Sequence, residues 1–187
     1  MRIYPVLVPD FLTNSYLVAG DDGEAVLIDP GKAAPELISI IENNRLKMKG
    51  ALLTSSSPEH SGGVGTLGKI YDFPVYSFNT GLRDGDSVSY GMLSFQVIET
   101  PGHSLDALSY LVNSSVLFSG DSLLAGTLAP TESYMQKALL VKSVREKLLT
   151  LPDEVFLYPG RGPLSRLGLE KMFNLDLLET EASFPSA

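Results

Sequence analysis

The sequence predicts an α/β fold in which two sheets lie face to face with helices outside. The first half alternates short, partly β-branched apolar runs with segments of helical periodicity, and the second half repeats strand pairs and closes on helices. No low-complexity linker, internal repeat or abrupt change of composition separates the halves. Each half therefore carries both strands and the helices to cover them, which is the pattern of layered α/β packing around one core.

The apolar runs at 15–19 and 25–28 flank Gly20-Asp21-Asp22-Gly23, which is hairpin-turn chemistry. Asp29-Pro30-Gly31 stops the second strand, and Leu37, Ile38, Ile41 and Leu46 fall at about helical spacing, so a helix is expected over 35–46. A buried strand follows at 50–54, then a glycine-interrupted helix at 64–71. Pro74 ends that helix and introduces a short strand at 75–78. Asp84-Gly85-Asp86 leads into strands at 87–90 and 93–98, and a further strand pair is expected at 108–112 and 116–119. A helix at 137–149, a strand at 155–158 and a closing helix at 167–178 complete the series.

The chain has 187 residues, 44% of them hydrophobic and 19% charged, enough for one substantial core without a disulfide or a metal. A single domain over 1–187 is expected. The N-terminus lacks the apolar run of a signal peptide and no stretch reaches bilayer length, so a soluble, cytoplasmic protein is expected. There is no cysteine, which excludes disulfides, thiolate ligands and a cysteine nucleophile; any metal must be held by His, Asp or Glu. The formal charge of −8 argues against nucleic acid and membrane surfaces as partners. Asn113-Ser114-Ser115 is a glycosylation sequon that reads more simply as a turn.

Candidate chemistry gathers where strands end. Thr54-Ser55-Ser56-Ser57-Pro58-Glu59-His60-Ser61-Gly62-Gly63 follows one strand, Pro101-Gly102-His103 another, and Gly120-Asp121 and Tyr158-Pro159-Gly160-Arg161-Gly162-Pro163 two more. The first run is similar to the signature Thr-His-x-His-x-Asp-His-x-Gly-Gly of metallo-β-lactamase-like hydrolases. The later segments resemble, in order, that family's Pro-Gly-His, Gly-Asp and Tyr-Pro-Gly-His-Gly-Pro. Asn14-Ser15-Tyr16-Leu17-Val18, Ile28-Asp29-Pro30-Gly31 and the segment 143–149 look like glyoxalase II-type members. The resemblance covers nearly the whole chain and implies a four-layer αββα sandwich with two mixed sheets and a metal site along one edge. No second domain specific for glutathione thioesters is expected.

The departures from the signature bear on function. Ser55 and Ser57 stand where the resemblance places two histidines of the first metal, and His103 keeps the third. Glu59 stands for an aspartate, His60 and the bridging Asp121 are kept, and Arg161 replaces the last histidine. A hydroxyl is a poor zinc ligand and a guanidinium cannot bind a cation. Pro130 and Glu132 also replace the Arg and Asp of the family's Gly-Arg-Thr-Asp segment.

Several of these residues also have structural explanations. Ser57-Pro58-Glu59 suits a helix entry, with Ser57 as N-cap, Pro58 in the first turn and a carboxylate beside it. Asp29 and Asp121 can tie loops through backbone hydrogen bonds, and Arg161 can be solvated. The leading expectation is a binding or regulatory descendant for a small molecule or protein partner, with no cofactor and with Arg161 in place of the lost cation. A second is a hydrolase of esters or thioesters holding one Zn, Fe or Mn ion on His60, His103, Asp121 and Glu59. The third is metal-free hydrolysis by Ser55 or Ser57, with His103 or His60 as base and Asp121 orienting it.

Overall fold

A computed structural model describes residues 1–178 of the chain. Residues 179–187 of the expected single domain lie outside the described residues. The first sheet contains β1 (Arg2–Val8), β2 (Thr13–Ala19), β3 (Glu24–Ile28), β4 (Lys47–Leu52) and β5 (Val75–Tyr76), in that order. Its first three strands are antiparallel and the last two pairings parallel. The second sheet runs β11-β10-β9-β8-β7-β6. It is built from β6 (Ser87–Tyr90), β7 (Leu93–Glu99), β8 (Leu108–Val112), β9 (Val116–Gly120), β10 (Phe156–Pro159) and β11 (Ser165–Arg166). Only β9 and β10 pair in parallel there. Both sheets are mixed.

Period-two alternation sorts the strand residues into layers. Tyr16, Val18, Val26, Ile28 and Leu52 of the first sheet meet Phe95, Val97, Tyr110, Val112 and Phe118 of the second in one inter-sheet core. The opposite face of the first sheet, with Leu17, Leu27 and Ala51, is covered by Leu37 and Ile41 of α1 (Pro35–Asn43) and Leu67 of α3 (Val64–Tyr71). The outer face of the second, with Leu111, Leu117 and Leu157, receives Leu140 of α4 (Tyr134–Ser143) and Leu167 of α5 (Leu167–Phe173). The layer order is αββα. No helix among the described residues is long and apolar enough to cross a membrane.

Local departures from the expected elements have physical causes. Strand β1 carries Pro5 and an exposed outer row, which hides its buried alternation of Val6 and Val8; as an edge strand it tolerates the missing donor. The strand expected at 75–78 ends early because Ser77 and Thr80 form a reciprocal capping box around a 3₁₀ turn, Phe78–Thr80. The helix expected at 137–149 begins at Tyr134, where Ser133 accepts from the Gln136 amide, and passes into a π-helical turn, Val144–Leu148. The closing helix breaks at Asn174, whose backbone is extended. The sequon is the β8–β9 turn, with Asn113 and Ser114 both at positive φ.

Candidate functional site

The site forms past the ends of β3, β4, β7, β9 and β10, where their loops meet along one edge of the sandwich. Asp29 follows β3 in a left-handed conformation (φ 49°), and its carboxylate accepts from Thr54 N (2.7 Å) and Thr54 Oγ1 (2.5 Å) just past β4. His60 lies on α2 (Pro58–Ser61) and is buried; its Nδ1 donates to Asp29 Oδ2 at 3.0 Å, which turns Nε2 toward Asp121. The loop after β10 is anchored from the other sheet: Asn14 N donates to Gly160 O (2.7 Å), Asn14 Nδ2 to Pro159 O and Gly162 O, and Tyr16 Oη to Pro159 O. A Cβ at Gly160 would stand 2.5 Å from Asp121 Oδ1, so only glycine lets this loop pass so close to Asp121.

Three cationic or potentially cationic groups converge on one carboxylate oxygen. Arg161 Nε donates to Asp121 Oδ2 at 3.0 Å, with His60 Nε2 at 3.5 Å and His103 Nε2 at 3.7 Å from the same atom. Arg161 Nη2 also donates to Glu59 Oε2, and Nη1 to the Phe11 carbonyl at 2.7 Å. His103 Nδ1 donates to Pro130 O at 2.7 Å. Asp121 Oδ1 is buried with no hydrogen-bond partner among the described residues, so a lone pair is left for a further cation or donor.

The charges reinforce one another. Burial by itself lowers the His60 imidazole, but the Asp29 and Asp121 carboxylates outweigh it and push it up to about 10. Burial raises Asp121, yet His60 and Arg161 hold it below the usual carboxylate range. Arg161 is likewise pulled down by desolvation and raised overall by Asp121 and Glu59. The carboxylates left by the missing ligands thus have cationic partners within the chain.

Ser55 and Ser57 do not form a nucleophile–base pair among the described residues. Ser55 Oγ donates to Asp106 Oδ1 at 3.3 Å, while both imidazoles direct their nitrogens at Asp29, Asp121 or Pro130. Ser57 sits at the N-cap position of α2 but its side chain makes no capping bond, contrary to the expected cap; its carbonyl accepts instead from the Ser61 amide. Asp106 was not singled out from the sequence, although it follows His103 by three residues and gathers Ser55, Ser56 and Ser104 around its carboxylate. A carboxylate so close behind a Pro-Gly-His segment is the signal that would have found it.

Two metal ions do not fit this donor set. The first position offers hydroxyls in place of two imidazoles, and the Ser55 hydroxyl is already turned to Asp106. One ion is better served: donor atoms of Glu59, His60 and Asp121 lie within 4.8 Å of one another, and the Asp29 bond fixes the His60 ring as ligand-orienting carboxylates do. This corrects the expectation of no cofactor, since a candidate ligand group is present. His103 stays outside that group, held toward Pro130. For an ion to use all three donors, Arg161 would have to release Asp121 Oδ2 and Glu59 Oε2.

Residues 8–83 match the family described as Metallo-beta-lactamase superfamily. A solved structure, the BLEG-1 B3 metallo-beta-lactamase, superposes with a TM-score of 0.86 at 29% identity, covering 94% of this chain and 99% of that one. The chain carries a metallo-β-lactamase superfamily domain. Among its relatives is the hydroxyacylglutathione hydrolase of Hahella chejuensis, 34% identical over 166 residues that make up 81% of this chain. The aligned stretch spans 62% of the length of that relative. TTHA1623, solved in a di-iron-bound form, shares a TM-score of 0.76 and 29% identity over 92% of this chain and 98% of its own. This metallo-β-lactamase-fold chain thus resembles glyoxalase II-like hydrolases while departing from their signature at Ser55, Ser57, Glu59 and Arg161.

Proposed function

We propose that this metallo-β-lactamase-fold protein works without a dinuclear metal centre, as a binding or regulatory member of its family. One observation carries the reading: the Arg161 guanidinium bridges Asp121 and Glu59, so a fixed organic cation already neutralises the carboxylates that a second metal would need. Charge neutralisation is retained while the Lewis acid is not. The binding partner, a small molecule or a protein, would meet the half-exposed side of this cluster, where Arg161, Glu59 and His103 retain 31%, 41% and 33% side-chain exposure.

The test is elemental analysis of protein prepared with zinc, iron and manganese all available. Substoichiometric metal that dialysis removes is the expected result; two tightly held ions per chain would refute the reading.

A second reading is favoured by the Glu59, His60 and Asp121 donors, which suit a single ion. Bound there, a metal would supply an activated water for ester or thioester hydrolysis, the reaction class suggested by the hydroxyacylglutathione hydrolase relatives. In this case Glu59, His60 and Asp121 would hold the ion, Asp29 would fix the His60 ring, and Arg161 would have to release both carboxylates. One stoichiometric ion in the same analysis would select it.

A further inference from the structure

Beside the carboxylate cluster lies an open groove of about 540 Å³, lined by the three consecutive serines Ser55, Ser56 and Ser57 and by Ser104 around Asp106. Asn79 and Leu105 line it as well. Its hydrogen bonding has a fixed direction. A carboxylate can only accept, so each serine hydroxyl bonded to Asp106 must be the donor. Ser55 Oγ and Ser104 Oγ donate to Asp106 Oδ1, and Ser56 donates to Oδ2 through both its hydroxyl and, at 2.9 Å, its backbone amide.

A hydroxyl has one hydrogen, and each of these three is committed inward. The oxygens of Ser55, Ser56 and Ser104 that line the groove can therefore only accept, and the negative carboxylate lies directly behind them. Ser55 Oγ already accepts from Ser57 N at 3.3 Å and keeps one lone pair; Ser56 and Ser104 keep both. Serines supply every hydrogen bond that holds Asp106 below the usual carboxylate range against its burial; no cation contributes. Among the described residues Asp106 forms no ion pair, so its charge is uncompensated.

We infer that this groove is a binding site for a primary ammonium group carried on a short apolar chain. An ammonium has three donors and no lone pair, matching a ring of oriented acceptors backed by one negative charge. An anion would meet the like charge of Asp106 and the lone pairs of three oriented hydroxyls, with side-chain donors only at Ser57 and Asn79. Leu105, 73% exposed, offers the methylene stem an apolar surface, and the chain's formal charge of −8 attracts such a cation at long range. The inference goes beyond the function proposed above and does not depend on it, because Glu59, His60, Asp121 and Arg161 take no part in this groove.

Nuclear magnetic resonance titration of the isotope-labelled protein at neutral pH with n-butylammonium, 1-butanol and n-butyrate tests it. Butylammonium should give saturable shifts at the amides of Ser55, Ser56, Ser104 and Leu105. Butanol should bind about tenfold more weakly, since charge-assisted hydrogen bonds are about twice as strong as neutral ones, and butyrate should not bind. The substitution Asp106→Asn supplies an amide that can donate back to the serines and lets their hydroxyls turn outward. It should weaken butylammonium by about tenfold and narrow or reverse the preference over butyrate. Should that variant fail to fold, Ser56→Ala on an exposed serine removes one acceptor and should weaken butylammonium severalfold. Saturable butyrate binding as tight as that of butylammonium, no saturable response to butylammonium, or an affinity unchanged by the substitutions would each overturn the inference. Metal content does not enter the readout, so failure here leaves the elemental analysis to judge the earlier reading separately.

Discussion

Arg161 Nε reaches Asp121 Oδ2 over 3.0 Å from the loop that follows the neighbouring strand of the same sheet. Strands β9 and β10 run parallel, and a register shift between Tyr158 and Pro159 sets Pro159 opposite Gly120, so the two residues leave the sheet from neighbouring strand ends. Asp121 is almost fully buried and Arg161 is about a third exposed, so the pair is neither a solvated surface bridge nor a dry internal one.

Removing the guanidinium should therefore cost an intermediate amount. Arg161→Ala strands a buried carboxylate, a loss of about 3–5 kcal/mol for a fully buried pair, but solvent reaches this one and His60 remains as a partner. A fall of about 1–3 kcal/mol in urea unfolding is expected, with Arg161→Lys recovering only part because a lysine cannot span both carboxylates with a planar fork. A change below about 0.5 kcal/mol would mean that the pair contributes no more than an exposed bridge.

Gly160→Ala should damage the site through sterics alone. The new methyl would press on Asp121 Oδ1 and on the Gly120 carbon 2.8 Å away, while Gly160 N must keep its 2.7 Å bond to Gly120 O. Overpacking of this kind typically costs about 1–3 kcal/mol, and here it would push Arg161 off Asp121. Chemical shifts of Asp121 and Arg161 that stay unchanged in a stably folded Gly160→Ala protein would contradict this.

Asp106 gives the molecule a defined acid limb. Its folded pKa is depressed: burial raises it, but hydrogen bonds from Ser104, Ser56 and Ser55 outweigh burial. A depressed carboxylate contributes stability that is present above its unfolded pKa and lost as pH falls through the folded one. Stability should decline across the acid range below the ordinary carboxylate pKa, and Asp106→Asn should flatten that decline while leaving the neutral-to-alkaline limb unaltered. Parallel acid limbs for the two proteins, measured by urea unfolding at a series of pH values, would count against the assignment.

Much of this architecture was legible because each layer has its own period. The inward set of β2 and β3, Tyr16, Val18, Val26 and Ile28, alternates with the outward set Leu17, Ala25 and Leu27, and helix α1 repeats Leu37 and Ile41 at four residues. Strand β1 was not legible, since Pro5 and its solvent-facing row mask an edge strand whose pairing comes entirely from β2. Within the site, the loops and their residues could be read from where strands stop, because turn chemistry is local. The partners could not. Arg161 reaching Glu59 across 102 positions, Asn14 gripping the loop after β10, and three serines gathering on Asp106 all depend on how the two sheets stack.

Rebuilding the signature should convert the site. The loops already bring His60 and Asp121 together, Asp29 already orients His60, and His103 Nε2 already faces Asp121 Oδ2 at 3.7 Å. Among the ligand positions, four depart from the signature. Ser55→His, Ser57→His, Glu59→Asp and Arg161→His together would remove the internal cation and supply imidazoles at the vacant positions, and should yield two tightly held zinc ions per chain. Arg161→Ala alone frees Asp121 Oδ2 and Glu59 Oε2 without adding a donor, so it should permit at most one ion on Glu59, His60 and Asp121. Orienting partners like Asp29 typically matter by about 10–100-fold in metal affinity, so adding Asp29→Asn to the fourfold variant should weaken zinc by that order. Zinc stoichiometry and competition with a chromophoric chelator measure all three. A fourfold variant that folds but binds no zinc would show that the backbone at the strand ends has itself moved away from ligand geometry, and that Arg161 is a consequence of that movement instead of its replacement for the metal.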